Sequence, residues 1–315
     1  MAVLNAEVAK LGATIPQVGL AEAIWTPGGL LRGLQFFEGN GSLSHTWNRE
    51  LTLPTSGPIP LGGPVPQSDI TVSQQSVSYK WFGSDLLFDR RSIAINSNIQ
   101  DAKAALSIKA AKGLRRQIEQ YLVTGDASSD PNQFDGLNLL FPGAVKATQH
   151  AQTRGAANDA VNGGALDWTD IYNAWDDRVF DDAKESGVWM CGSFVMSILR
   201  NMIKGAAGGA NPADIMSPEF GGPFLTLMGR PVLLNNYMTK TETRGTDTTT
   251  ASLWFLGIGE DGLHGRLPLG GNEMIVLEDL GRVPGYAQDV IRVMFGMALS
   301  VHSELWCARI AGIES

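Results

Sequence analysis

Gly257, Gly259 and Gly262 spell GxGxxG directly after an apolar, strand-like run at 252–256. In a dinucleotide site, such glycines let the backbone approach a pyrophosphate that rests on the N-terminus of the following helix. The residues that follow here, LHGRLPLGGNE, do not form a helix, so the motif lacks the element that would hold a phosphate. The chain has neither a GxxxxGK[ST] phosphate loop nor a GxSxG nucleophile elbow. His45, His150, His264 and His302 are far apart and form no HxH or HxxxH pair, so their spacing predicts no metal site. Asp176-Asp177 and Asp181-Asp182 could serve as paired carboxylates, but Arg178 and Lys184 beside them fit a solvated helix face. Cys191 and Cys307 lie in apolar runs without a CxxC and read as small buried hydrophobes. No catalytic, cofactor-binding or metal-binding constellation is predicted.

The elements that would position such groups are organised around one stretch, 96–125. There Ile99, Ala102, Leu106, Ala110, Leu114, Ile118, Tyr121 and Leu122 recur at helical spacing. Lys103, Lys112, Arg116 and Glu119 fall on other faces. The spacing predicts a long helix over 98–124. Ser97 and Gln100 have the form of a capping box, and Gly125 can take a left-handed conformation past the last turn. Gly113 inside it suggests a close backbone neighbour.

Before this helix, residues 1–49 scatter Trp25, Phe36 and other apolar residues between Gly and Pro breakers, as an arm lying over a body or a neighbour would. Only a short helix near 2–11 is suggested. The run LTLPTSGPIPLGGPVPQ, which includes Pro54, Pro60 and Pro64, cannot form a central strand and reads as an extended tip. Its return limb, 69–81, is polar on both faces, and its apolar side switches between Val72 and Val77. A projecting hairpin over 50–80 that lies on another subunit is the expectation, with a plain surface loop as the alternative. FGSDLLFDRRSIAI reads as a short helix and turn, with Asp85 and Asp89 forming an ion-pair cluster with Arg90 and Arg91.

After the helix come a turn at 125–135 and a Gly/Ala-rich irregular stretch at 137–165. Asp167 can cap a helix carrying Ile171, Ala174, Trp175, Val179 and Ala183 and ending at Gly187. A buried strand at 188–191, a helix at 194–204 and a glycine- and proline-rich loop at 205–222 follow. Two strands joined by a tight turn at 228–230 complete a compact α/β unit. Further strands are expected at 252–256 and 275–278. Ile291, Val293, Phe295, Met297, Leu299 and Val301 then alternate along a long strand with one apolar face. That strand is expected to return to the long helix, making the first body discontinuous in sequence.

The 315 residues allow one large domain or two ordinary ones, and 43% hydrophobic residues suffice for a core. Only 18% are charged, while 37 Gly and 15 Pro indicate much loop and extended structure. A formal net charge of -8 argues against tight, sequence-independent binding of nucleic acid to a basic surface, though not against enclosing it. No signal-peptide pattern and no apolar run of membrane-spanning length is present, so neither export nor membrane anchoring is expected.

The order of parts resembles the major capsid proteins of tailed double-stranded DNA bacteriophages, an α+β Hong Kong 97-type fold also seen in encapsulin shells. The resemblance covers about 68–311. It is carried by VSYKWFGSDLLFD, the helix ending in EQYLVTGD, FDGL, VWMCGSFVMSILRNMIKG, LTLMGRPVLLNNYM and VIRVMFGMALSVHSELWCARIAGI. It implies an N-terminal arm at 1–49, an extended loop at 50–80, a peripheral domain at 81–165 with the 98–124 spine helix, an axial domain at 166–271 and return strands of the peripheral domain at 272–315. The loop near the capsomer axis would contain Gly208, Gly209 and Pro218. Subunit contacts would involve Trp25, Phe36, Pro54, Pro60, Pro64, Lys80, Arg90 and Arg91.

On this resemblance the chain is a structural protein, not an enzyme. It would self-assemble into pentamers and hexamers of a virion shell, built in the host bacterial cytoplasm and enclosing DNA without tight specific binding. Scaffolding, portal and decoration proteins are possible partners, with no cofactor and no membrane. Some members crosslink through a lysine in the extended loop. Lys80, the only lysine between Lys10 and Lys103, sits at the base of that loop, so the chemistry is not carried over. An encapsulin-like compartment is the second reading, and a nucleotide-dependent enzyme using Gly257, Gly259 and Gly262 is the third.

Overall fold

The computed structural model describes residues 29–39, 43–52, 57–59, 61, 71–89, 91, 99–141, 151–153, 164–178, 181–205, 213–216, 224–244, 247–268, 276–303 and 306–314. The expected helix at 2–11, Ser97, and most of the 53–70 tip lie outside these residues.

In chain order, the strands are β1 (Phe36–Glu38), β2 (Ser44–Thr52), β3 (Thr71–Ser78), β4 (Lys80–Asp89), β5 (Ala151–Thr153), β6 (Gly164–Ala165), β7 (Gly187–Cys191) and β8 (Ala213–Met216). They continue with β9 (Phe224–Leu227), β10 (Arg230–Leu234), β11 (Glu242–Arg244), β12 (Asp247–Gly257), β13 (Leu263–Leu267), β14 (Val276–Arg282), β15 (Gln288–Val301) and β16 (Cys307–Glu314). The principal helices are Ile99–Thr124, Trp168–Arg178 and Ser193–Gly205.

The Ile99–Thr124 helix forms as its spacing predicts, and its inward stripe of Leu114, Ile118 and Leu122 is buried. Two details at its glycines differ from expectation. Gly113 is exposed, and a Cβ there would meet nothing within 4 Å, so no close neighbour explains it. Gly125 is absent from the residues with positive φ. It is needed instead because a Cβ would come within 2.4 Å of the Phe134 carbonyl oxygen as the chain turns back. Glu119, expected on an outer face, is buried beside Ile118 and pairs with Arg115 at 3.2 Å.

β15 carries the alternation read from its sequence. Val293, Phe295, Met297 and Leu299 pack in one cluster with Leu114, Ile118 and Leu122, so the long strand does return to the long helix. It is the centre of a five-stranded sheet containing β1, β13, β14 and β4. The short helix and turn read at 82–95 is corrected over 82–89 by β4, which pairs antiparallel with β15 from Lys80↔Met297 to Asp89↔Gln288; 90 and 92–95 lie outside the described residues. Phe82, Leu86 and Phe88 suit either period, and the continuous ladder to β15 decides for the strand.

A second, nine-stranded sheet contains β5, β16, β12, β7, β10, β9 and β8 in that order, with β11 and β6 paired at its margins. Its core includes Trp189, Phe255, Leu253, Ile310, Val195 and Leu199, which joins strands and the Ser193–Gly205 helix. β9 and β10 meet at a turn where Met228 (φ 51°) and Gly229 (φ 74°) are both left-handed, the backbone twist that suits a two-residue hairpin. Asp167 caps the next helix as expected. Its carboxylate accepts from Trp168 N at 2.7 Å, and its own N–H donates to Asp170 Oδ2 at 2.9 Å. The helix expected up to Gly187 is seen over Trp168–Arg178 and Asp181–Ser186, with 179 and 180 outside the described residues. β8, inside the expected 205–222 loop, pairs with β9.

Sequence order and sheet membership diverge at four strands: β5 and β6 lie within 81–165 but pair with β16 in the nine-stranded sheet. β13 lies within 166–271 but joins β15, whereas β16 follows β15 and joins β12. The CARIAGI run of β16 is buried throughout and needs cover on both sides; its one charged residue, Arg309, is paired with Glu242 at 2.8 Å.

Candidate functional site

β2 and β3 form a two-stranded antiparallel ribbon, from Ser44↔Ser78 to Thr52↔Thr71, with an irregularity between Glu50 and Thr52. It hydrogen-bonds to no third described strand. The ribbon starts at Ser44, inside the stretch assigned to the arm, because Ser44–Arg49 find partners in Ser73–Ser78. Residues of β3 alternate between exposed and half-buried, and Val72 is exposed. Leu43, Ile59 and Leu61 are also exposed, at 92%, 51% and 109%. Such a ribbon buries too little apolar surface to be stable on its own, and the large apolar side chains along it are available for contact.

The predicted interface residues fare differently. Trp25, Pro54, Pro60, Pro64 and Arg90 lie outside the described residues, as do Gly208, Gly209 and Pro218. Phe36 is half-buried and packs within the subunit: it stands edge-on to Phe295 at 6.3 Å and lies against Gly265, where a Cβ would come within 2.4 Å of its ring. Lys80 stands where the ribbon meets the body, and its ammonium donates to the Pro131 carbonyl, tying that junction to the turn after the long helix. In that turn Asp126 accepts from the hydroxyls of Ser128 and Ser129, which hold its carboxyl down at about 2. Arg91 is exposed and its backbone N–H donates to Asp89 Oδ1 at 2.9 Å. Asp85 joins Arg292 across the β4–β15 ladder in a bidentate pair at 2.7 and 2.9 Å, where the sequence had suggested Arg90 or Arg91.

The glycine motif is a strand-to-strand connection. No helix follows it: β12 ends at Gly257 and β13 starts at Leu263. A Cβ on Gly262 would lie 2.3 Å from the Gly257 carbonyl oxygen and 2.8 Å from the Trp306 ring, so packing accounts for the glycine. Cys191 and Cys307 are buried free thiols, each pushed up to about 12 by desolvation.

One constellation was missed by spacing. His45 on β2, His264 on β13 and His302 just past β15 come together where the ribbon joins the five-stranded sheet. Their sequence spacing, which predicts no metal site, does not keep these three apart in the fold. His264 Nδ1 lies 3.1 Å from Gly259 O and 3.2 Å from Gly262 O, so it carries the proton and donates to them. Its Nε2 then accepts from Ser300 Oγ at 2.6 Å and Arg266 Nε at 3.0 Å. His45 Nε2 and His302 Nε2 are 3.5 Å apart, and Trp47 lies against both rings. Burial is the main cause that lowers all three imidazoles, with Arg266 contributing, and His264 falls to about 3. All three are therefore neutral at pH 7. The buried His45 Nδ1, Trp47 Nε1 and Tyr79 hydroxyl have no hydrogen-bond partner among the described residues.

The sequence matches no protein-family model and no curated protein. Solved structures do match. The holo-SrpI encapsulin complex from Synechococcus elongatus PCC 7942 aligns with a TM-score of 0.62 at 14% identity, covering 100% of this chain and 97% of the other. The capsid of a native GTA particle aligns at 0.64 and 13% identity, covering 92% and 91%. The capsid of cyanophage A-1(L) aligns at 0.59 and 12% identity, covering 90% and 91%. The chain therefore has the Hong Kong 97-type fold, the one shared by phage capsid and encapsulin shell subunits.

Proposed function

We propose that this chain is the repeated structural subunit of an icosahedral shell, a major capsid protein of the tailed-phage type. It self-assembles into hexamers and pentamers around double-stranded DNA and performs no catalysis. The carrying observation is the likeness to shell subunits over nine-tenths or more of both chains. The ribbon adds physical support: β2 and β3 pair with no third strand among the described residues, and a neighbouring subunit would supply the missing cover. In this reading Ile99–Thr124 is the spine helix of a peripheral domain built on the five-stranded sheet. The nine-stranded sheet belongs to an axial domain that takes in β16, the arm assigned to 1–49 gives way to the ribbon at Ser44, and the extended loop runs from there to 80. A net charge of -8 suits a container whose DNA must enter and leave. The particle is a virion capsid assembled in bacterial cytoplasm, with scaffolding, portal and decoration proteins as candidate partners. No described helix is long and apolar enough to cross a membrane.

A second reading, an encapsulin-like compartment with an enzyme cargo, is favoured by the encapsulin match over the whole chain. Nuclease treatment of native particles separates the two. Protected double-stranded DNA of uniform length supports the capsid. Particles with no protected DNA and a co-purifying enzyme support the compartment.

A further inference from the structure

We propose that His45, His264 and His302 form a binding site for a divalent transition-metal ion of the zinc class, which pins the base of the β2–β3 ribbon to the body. The ligand nitrogens all lie within 4.8 Å of one another. Zinc–imidazole bonds of about 2.05 Å at tetrahedral angles set adjacent nitrogens roughly 3.4 Å apart, and His45 Nε2 and His302 Nε2 are 3.5 Å apart. A ligating histidine ordinarily donates its other ring N–H to a carbonyl or carboxylate. His264 does so twice, to Gly259 O and Gly262 O, which leaves Nε2 as its ligating atom. The glycine connection that resembles a nucleotide motif thus orients this imidazole.

Three neutral nitrogen ligands and an open fourth position suit zinc over magnesium or calcium, which prefer oxygen. Two donors occupy the His264 Nε2 lone pair, Ser300 Oγ at 2.6 Å and Arg266 Nε at 3.0 Å; the hydroxyl can rotate away, and the guanidinium is the charge that opposes the ion. Arg266 has other anchors, however: Nη1 reaches Glu38 O at 3.4 Å and Nη2 reaches Glu260 at 3.7 Å. The guanidinium can give up its bond to His264 and keep those two, and the Glu260 carboxylate beside it offsets part of the added charge. The three ligands come from the ribbon, β13 and the end of β15, so the ion would cross-link segments 257 residues apart in the chain. The site concerns the single subunit and stands whatever the shell encloses.

The test uses full-length, untagged protein stripped with a chelator and titrated with zinc by calorimetry, with cobalt(II) as the spectroscopic probe. The expected result is saturable binding of about one zinc per chain with a tetrahedral cobalt spectrum. His45→Ala and His302→Ala should each weaken binding at least tenfold, and His150→Ala should leave it unchanged. Zinc should also raise the thermal unfolding midpoint of the wild type, and an unchanged midpoint at saturating zinc would overturn the cross-link. The proposal is overturned if the wild type takes up no zinc, or binds it with an octahedral cobalt spectrum. Binding that survives both substitutions, or that His150→Ala abolishes, also overturns it. The wild-type titration decides even if a variant fails to fold.

Discussion

Replacing Leu122 with Ala tests the seam between the long helix and β15. Leu122 is fully buried in the cluster that holds Leu114, Ile118, Val293, Phe295 and Met297. Truncating a buried leucine removes its transfer free energy and leaves a cavity, for a cost of about 3 kcal/mol. With a urea dependence of about 3 kcal/mol per molar for a chain of this size, the unfolding midpoint should fall by about 1 M. The control is Ile108→Ala on the same helix. Ile108 is 56% exposed, and its truncation should change stability by no more than about 0.5 kcal/mol. The assay is urea unfolding of dissociated subunits followed by tryptophan fluorescence, so that neighbouring subunits do not bury Ile108. A loss below about 1 kcal/mol for Leu122→Ala, or an equal loss for Ile108→Ala, would refute the packing argument.

The glycine motif yields a paired prediction: Gly262→Ala should cost about 2 kcal/mol in thermal unfolding because its Cβ meets backbone, while Gly259→Ala, whose nearest contact is 3.5 Å, should be nearly neutral. Equal costs for the two would contradict the tight connection. Glu119 carries a pH prediction. Burial raises its folded-state pKa above 4.5 despite Arg115, so its contribution to stability declines as pH rises from about 4.5 through that raised value. Glu119→Gln should therefore unfold at a higher temperature than wild type at pH 7, with the advantage gone at pH 4; a less stable variant at pH 7 would show that the ion pair with Arg115 outweighs desolvation. Cys191 and Cys307, buried and held near 12, should resist alkylation at pH 8 until the chain is denatured, and rapid labelling of the native protein would sink that reading. Deleting 54–67 should leave a folded subunit that no longer closes into shells, and normal particles from the deletion would remove the ribbon from the assembly contacts.

Where local pattern and tertiary packing agree, the chain can be read directly. The stripe Leu114, Ile118, Leu122 and the alternation from Ile291 to Val301 each meet the surface they imply, and Asp167 caps because its neighbours offer the right N–H groups. β4 was harder. Phe82, Leu86 and Asp89 fit helical spacing, and only the ten-residue ladder to β15, 207 residues away at the Asp85–Arg292 pair, makes the segment a strand. Glu119 sits one residue from the buried Ile118, at the edge of a stripe whose width periodicity does not define. The histidine cluster depends on three elements meeting, and no spacing rule reaches across 257 residues. A weak signal was present: His264 lies two residues after Gly262, and the carbonyls of Gly259 and Gly262 in the preceding connection hold its ring.

The most direct test of the account is negative-stain electron microscopy of the purified, size-fractionated protein. The account predicts closed shells, or rings of five and six subunits. A monodisperse monomer or dimer at high concentration, unchanged when the proteins encoded beside it are co-expressed, would contradict it.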